Sequence, residues 1–349
     1  MPSGAPALLL TGATGLVGSE LLPQLEAARP ERRIIALRRP EADITKSGLG
    51  LDSATARDLH DRVTEIVHCA ADTRFGLSLE AARAVNTLGA GHVLDFARRC
   101  RRLEKFAHLS TAYVAGNTTG SIPEAPLPRP PVYFNTYQQS KHEAEEVVLA
   151  AGRELPVAIF RLSSIIGDSR TGQVRKFNYV HQLLKLLPRN VLPVAPADLA
   201  APLDLLSSDW ASAALVHLFD HAFAAGRVYH VTAGPERSLT VQRMLDVTIE
   251  TFACHPAGKR WLPVRVPRLV SLAEYEEFVT QSRNTGDRLL NELLRVLGFF
   301  LPHLALFQAF DTRQTRAALA ASGLDFPSAE SCFRKVVEHC LETDWGRRV

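Results

Sequence analysis

Ala7-Leu-Leu-Leu-Thr-Gly-Ala-Thr-Gly-Leu-Val-Gly18 is the stretch from which the fold is read. Its four apolar residues predict a buried strand over 7–10. Gly12, Gly15 and Gly18 follow at three-residue spacing, and an amphipathic pattern then runs to about Ala28, with a kink expected at Pro23. A glycine turn between a strand and a helix has a physical use. The first glycine permits the tight turn, the second lets backbone N–H groups approach a pyrophosphate, and the third lets helix and strand pack closely. Thr11, Gly12, Thr14, Gly15, Leu16, Val17 and Gly18 are therefore expected to line a dinucleotide's phosphates.

Working outward, short apolar runs at 33–37, 63–70, 106–110, 157–161 and 228–232 read as further strands. Helical patterns lie between them, at 79–100, 137–152 and 208–225. This alternation predicts an α/β fold with a doubly wound parallel sheet of the Rossmann type. Beyond residue 233 it becomes irregular, with prolines at 235, 256, 263 and 267. The expected division is a nucleotide-binding domain over 1–232, carrying a lid-like insertion around 172–204, and a smaller, mostly helical substrate lobe over 233–349.

The second strand should set cofactor choice. An acid about twenty residues past the glycines would hold the 2′-hydroxyl of NAD. Here the strand ends in Arg38-Arg39, with no acid before Glu41. Two guanidiniums suit a 2′-phosphate, so the cofactor expected is NADP.

Tyr137-Gln-Gln-Ser-Lys141 places a phenol and an ammonium one helical turn apart on one face. The chain has seven lysines among its 40 basic residues, so chance seldom produces this pair. An adjacent cation is expected to lower the phenol's pKa and let it exchange a proton with a carbonyl oxygen. Upstream, Phe106–Ser110 reads as a strand emptying into a loop, so the Ser110 or Thr111 hydroxyl would face the ligand crevice and hold that oxygen.

Composition excludes several classes. A net charge of +3 is no nucleic-acid signature. The five cysteines, at 69, 100, 254, 332 and 340, lack metal-ligand spacing and read as reduced thiols of a cytoplasmic protein. The N-terminus lacks the basic start of a signal peptide. The apolar stretch 296–310 is broken by Gly298, Pro302 and His303 and is too short to span a membrane. An acyl tunnel, a membrane-surface contact and a dimer contact are all open to the segment 293–310; a helical core is the simplest reading. His217 and His221 read as a helix-surface pair, and no residue is assigned to a metal. Contact with a CoA or pantetheine phosphate is open to Arg170, Arg175 and Lys176; a solvated lid is the simpler reading.

The order of TGATGLVG, HCAAD (68–72), VNTLGA (85–90), LSTAYVAG (109–116) and YQQSK resembles the extended short-chain dehydrogenase/reductase superfamily. HCAADTRF (68–75), STAYVAG (110–116) and RLSSIIGDSRTG (161–172) resemble its thioester-reductase and fatty acyl-CoA reductase branch. The resemblance covers about residues 7–232. It implies a catalytic set in which Thr111 binds the carbonyl oxygen, Tyr137 protonates it, and Lys141 holds the nicotinamide ribose. It also implies cofactor contacts from Ala70 and Ala71 beside the adenosine, from Leu162 and Ser164 near the nicotinamide, and from Asp43 at the adenine. Asn86 matches a helix asparagine of the superfamily. Two departures stand out: only Glu41-Ala42-Asp43-Ile44 remains where an edge strand and its Gly-Asp motif usually lie, and Arg161-Leu162 replaces the usual Arg-Pro. No adenylation or carrier segment is read, so an acyl donor is expected to arrive separately.

The implied function is NADPH-dependent reduction of a lipophilic acyl thioester to an aldehyde or alcohol. A ketone or aldehyde reductase would use the same residues. A nucleotide-sugar epimerase or dehydratase fits Arg38-Arg39 and the apolar C-terminal part less well, and a non-catalytic cofactor sensor has no use for the acid. Replacing both Arg38 and Arg39 by alanine is expected to raise the KM for NADPH and to leave that for NADH nearly unchanged in steady-state assays. Equal use of both nucleotides by the unaltered protein would contradict the assignment.

Overall fold

The computed structural model describes residues 5–261, 263–284 and 286–347; the first four residues of the N-terminal reading lie outside them. Six parallel strands form the central sheet: β1 (Ala7–Thr11), β2 (Arg33–Leu37), β3 (Val63–His68), β4 (Lys105–Thr111), β5 (Val157–Leu162) and β6 (Val228–Val231). Their order is β2-β1-β3-β4-β5-β6. Direction along the sheet reverses between β1 and β3, which opens a crevice at the carboxyl ends of these strands.

Alternation along each strand supplies both faces with apolar side chains. Leu8 and Leu10 join Leu21 and Leu25 of α1 (Leu16–Ala28) and Leu215 and Phe219 of α6 (Ser208–His221) in one cluster. Leu9, Ile66, Phe106 and Ile159 join the opposite cluster with Val93 of α3 (Leu79–Ala97) and Val148 of α4 (Thr136–Ala151). Helix α2 (Ser53–Arg62) adds Leu59 to that second layer. Helix α1 continues through Pro23.

The expected minimal edge strand near Asp43 does not form. Between β2 and α2 the chain makes a 3₁₀ turn at Ser47–Gly50, with Gly48 and Gly50 at φ 60° and 68°. The Asp43 carboxylate accepts hydrogen bonds from the Thr45 backbone N–H at 2.9 Å and the Thr45 hydroxyl at 2.8 Å, so this segment satisfies itself locally.

The remaining chain interleaves with residues that follow β5. Leu205–Ser207 pairs with Ser164–Gly167, Arg268–Val270 with Val194–Pro196, and Leu239–Thr240 with Pro202–Leu203. Helices α5 (Tyr179–Leu186), α7 (Val241–Cys254) and α8 (Ala329–Glu342) share an apolar core that includes Leu184, Met244, Phe333 and Val337. Among the described residues no helix is long and apolar enough to cross a membrane. No described cysteine pairs with another.

Arg161 on β5 is completely buried, and its guanidinium meets the Glu145 carboxylate of α4 at 2.7–3.2 Å. Its remaining donors reach Ala125 O at 3.0 Å and His230 Nε2 at 3.3 Å. The pair fastens α4 to the sheet. Replacing Glu145 by leucine strands a buried cation and is expected to destabilise the protein by about 3–5 kcal/mol in urea titrations. The double substitution Glu145→Leu/Arg161→Met should recover most of that loss. Equal stability of the single variant and the unaltered protein would contradict this role.

Candidate active site

The glycine turn has the geometry its sequence implies. Gly12 has φ 75°, and a Cβ there would lie 2.5 Å from Ala70 N; at Gly18 a Cβ would lie 2.1 Å from Gly12 O. Both positions are thus closed to any side chain. Gly15 precedes α1 without a side-chain cap, and the first turn of α1 holds no acidic residue. Its N–H groups and positive dipole end point into the crevice. Leu16 and Val17 form that first turn. Thr14 is exposed on the turn, whereas Thr11 is buried, its hydroxyl 2.8 Å from His68 Nδ1 and accepting from Ala70 N at 3.2 Å.

Arg38 and Arg39 follow β2 and are both exposed, at the edge of the same crevice. Arg39 reaches Asp43 at 3.1 Å, and with Thr45 it helps hold that carboxyl below the usual carboxylate range; the two Thr45 hydrogen bonds are the larger cause. Ala70 and Ala71 leave β3 beside Gly12. Their loop is pinned by Asn86, whose side chain accepts from Asp72 N at 2.8 Å and donates to Asp72 O at 3.0 Å and Ser140 Oγ at 2.9 Å. The segment expected to be a solvated lid is anchored: Lys176 donates to Thr14 O at 2.6 Å, and Arg175 meets Glu20 of α1 at 2.7 Å.

Asn135 caps α4, its side chain accepting from Gln138 N at 3.0 Å, and this places Tyr137 in the first turn with Lys141 and Glu145 on the same face at four-residue intervals. Tyr137 lies near the Thr111 hydroxyl at the end of β4, which accepts from the Tyr113 backbone N–H at 3.2 Å. Burial raises the phenol's pKa well above its ordinary value, against a smaller downward pull from Thr111. The expected lowering by Lys141 is absent because its ammonium turns inward, donating to Leu109 O at 2.8 Å and meeting His108 Nε2 at 3.0 Å. Burial brings that ammonium down to about 8. Tyr137 is therefore a protonated donor at neutral pH. Ser110 is buried, and among the described residues its hydroxyl has no hydrogen-bond partner, while the Thr111 hydroxyl lies near the phenol.

Leu162 ends β5. Ser164, two residues on, lies between two tyrosines: Tyr113 Oη is 3.0 Å away and Tyr179 Oη also hydrogen-bonds it. Phe75 links this cluster to Tyr137, its ring 5.8 Å from Tyr137 and 5.5 Å from Tyr179. Tyr113 and Tyr179 form part of the wall of a cavity otherwise lined almost entirely by apolar side chains, among them Leu184, Leu187, Met244, Leu269, Phe300 and Leu304. From the segment 293–310, for which an acyl tunnel is one of the open readings, Phe300 and Leu304 line it. Phe299 packs toward Gly76 instead, and Phe307 is half exposed, because the 3₁₀ turn Leu301–Ala305 redirects the chain between them. Tyr179 and His108 were not singled out from the sequence. Only Tyr179, a large aromatic opening α5, carries a local signal.

A family model described as "Male sterility protein", of an NAD-binding family, matches residues 40–215, half of the chain. The chain is 21% identical over 361 aligned residues to probable fatty acyl-CoA reductase 5 of Arabidopsis thaliana, covering 80% of this chain and 73% of that one. It is 30% identical over 245 residues to isonitrile lipopeptide synthase of Streptomyces coeruleorubidus, covering 60% of this chain but only 16% of that protein. The terminal R domain from the myxalamid PKS-NRPS biosynthetic pathway superposes with a TM-score of 0.78 at 26% identity, over 98% of this chain and 92% of that one. With a nucleotide cradle and a tyrosine–lysine pair on one sheet edge, the chain belongs to the male sterility protein family of NAD-binding oxidoreductases, within the extended short-chain dehydrogenase/reductases.

Proposed function

We propose that this protein reduces an acyl thioester, CoA-linked or carrier-bound, to an aldehyde or alcohol with NADPH. The observation that carries the reading is the apolar cavity that meets the Tyr113–Ser164–Tyr179 cluster beside Tyr137 and Thr111. A fatty acyl chain fits such walls, and each buried methylene is worth about 0.8 kcal/mol. The similarity to fatty acyl-CoA reductases and to a synthase R domain supports the thioester. Residues 1–232 would hold the nucleotide; 233–349, with the insertion at 172–204, would hold the acyl group.

The residues present fit a dinucleotide: the cradle at Gly12 and Gly18 admits a backbone-close ligand that a Cβ would exclude. Thr11, Gly12, Thr14, Gly15, Leu16, Val17 and Gly18 would line the pyrophosphate. Arg38 and Arg39 would take the 2′-phosphate; Ala70, Ala71, Leu162 and Ser164 would flank adenosine and nicotinamide. Asp43, already engaged by Thr45, would reach the adenine only from that fixed position. When bound, the nicotinamide supplies a hydride to the carbonyl carbon.

Thr111 and Tyr137 would both donate to the carbonyl oxygen, and Tyr137 would pass it a proton as charge develops there. Lys141 would hold the ribose with the N–H not used on Leu109 and His108. When the hemithioacetal collapses, its hydroxyl proton returns to Tyr137, the C–S bond breaks, and the thiolate leaves to be protonated by solvent. The sum is one thioester, one reduced nucleotide and one proton converted to aldehyde, thiol and oxidised nucleotide.

An acyl-CoA series tests this with NADPH oxidation and thiol release measured together. One thiol per first NADPH is expected, and kcat/KM should rise severalfold for each two carbons until the cavity is full. Met244→Trp should shorten the preferred chain. Oxidation with ketones but with no thioester would contradict the reading. Tyr137→Phe should lower kcat by about 10²–10⁴-fold with nucleotide binding kept; a loss under tenfold would remove Tyr137 as the acid.

A further inference from the structure

Beneath the site, three side chains on adjacent strands stand in register: Thr11 on β1, His68 on β3 and His108 on β4. All are at most 1% exposed. Thr11 bonds His68 Nδ1, the two imidazoles lie 5.3 Å apart between centroids, and His108 Nε2 sits 3.0 Å from Lys141 Nζ. An ammonium can only donate, so His108 must present a lone pair at Nε2 and carry its proton on Nδ1. That Nδ1, like His68 Nε2, is buried without a hydrogen-bond partner among the described residues. An unpartnered buried polar atom is costly, and a leucine at 108 would carry no such cost. The contact with Lys141 is what distinguishes the imidazole from an apolar residue here.

We infer that His108 is a positioning residue for Lys141: its neutral imidazole accepts from the ammonium and, with Leu109 O, holds it protonated and fixed under the active site. The inference rests on the role proposed for Lys141 above. A proton relay through His108 is the competing possibility, and the local environment opposes it. Burial, the Lys141 charge and His68 together hold His108 well below the ordinary histidine range, so a protonated imidazole is not accessible. The other groups facing Lys141 give no better acceptor. Glu145, on its own helix, is engaged by Arg161 from β5. Burial raises the Cys69 thiol at the end of β3 to about 12, and lowers His68 to about 3, so both are neutral. Tyr137, also on α4, is protonated.

The test compares pH–rate profiles of the full chain with NADPH and an acyl-CoA. Unaltered protein should lose kcat on the alkaline side near pH 8, where the Lys141 ammonium titrates. His108→Leu removes the acceptor and should move that limb down by about one pH unit and lower kcat about tenfold. The KM for NADPH should change less than kcat. His108→Gln offers an amide oxygen in place of Nε2 and should restore the limb and most of kcat. If His108→Leu does not fold, His108→Asn replaces it; the shorter amide falls short of Lys141, so its limb should also fall. A limb unmoved in the Leu or Asn variants, or equal losses in Gln and Leu with only thermal stability changed, would overturn the inference. Tyr137→Phe and Lys141→Met are the controls. If they keep activity, the reading of the site itself fails; if they lose it while the His108 variants behave as the unaltered protein, only this inference fails.

Discussion

Lys141 carries a positive charge to a place where its side chain is only 2% exposed, and the surrounding structure answers that charge. The ammonium finds its acceptors on β4, at Leu109 O and His108 Nε2. These bonds draw α4 down on the end of the strand. Because helix positions four apart share a face, the same descent brings Tyr137 to Thr111 at one end and Glu145 to Arg161 at the other. A single buried cation thus sets the depth of the helix, and the helix sets the site. A charge so placed must be hydrogen-bonded or neutralised, and here it is hydrogen-bonded.

From this fixed centre the molecule divides into two environments. Toward β1 and β2 lie backbone N–H groups, a helix N-terminus, two exposed arginines and Lys176 on the turn carbonyl. This side suits a polyanion. Toward α5 and α7 the walls are leucine, methionine and phenylalanine around a cavity. This side suits a hydrocarbon. The Tyr113–Ser164–Tyr179 hydroxyls stand at the boundary. On the proposed reading, a molecule with an acyl tail and a polar reacting group would span that boundary with its carbonyl at Tyr137.

What the sequence made legible was local. The glycine turn, the strand–helix alternation and the Tyr137–Lys141 spacing all depend on residues within one helix or one turn, where the backbone period fixes geometry. No edge strand forms near Asp43, in keeping with the shortened segment there, because Pro40, Gly48, Gly50 and the Thr45 hydrogen bonds favour a compact turn over an extended edge. The direction of the Lys141 ammonium was not legible, since helical spacing orders side chains along a face but does not reveal which strand atom faces them. His108 read as one more strand residue. The cavity walls come from residues 113, 179–205, 241–245, 267–269 and 300–304, and no local pattern announces that these segments converge. Phe299 and Phe307 looked equivalent to Phe300 because apolarity alone does not encode the turn that separates them.

On the proposed reading, the carboxyl ends of β4 and β5 receive the carbonyl carbon of an acyl thioester as a hydride acceptor. The most direct measurement uses NADPH deuterated at the transferring C4 position, with a long-chain acyl-CoA, and reads the product by mass spectrometry. An aldehyde with one deuterium on the former thioester carbon is expected, or an alcohol with two after a second turnover, with free CoA equal to the acyl product. Unlabelled product, or intact thioester with the label in a different carbonyl compound, would contradict it.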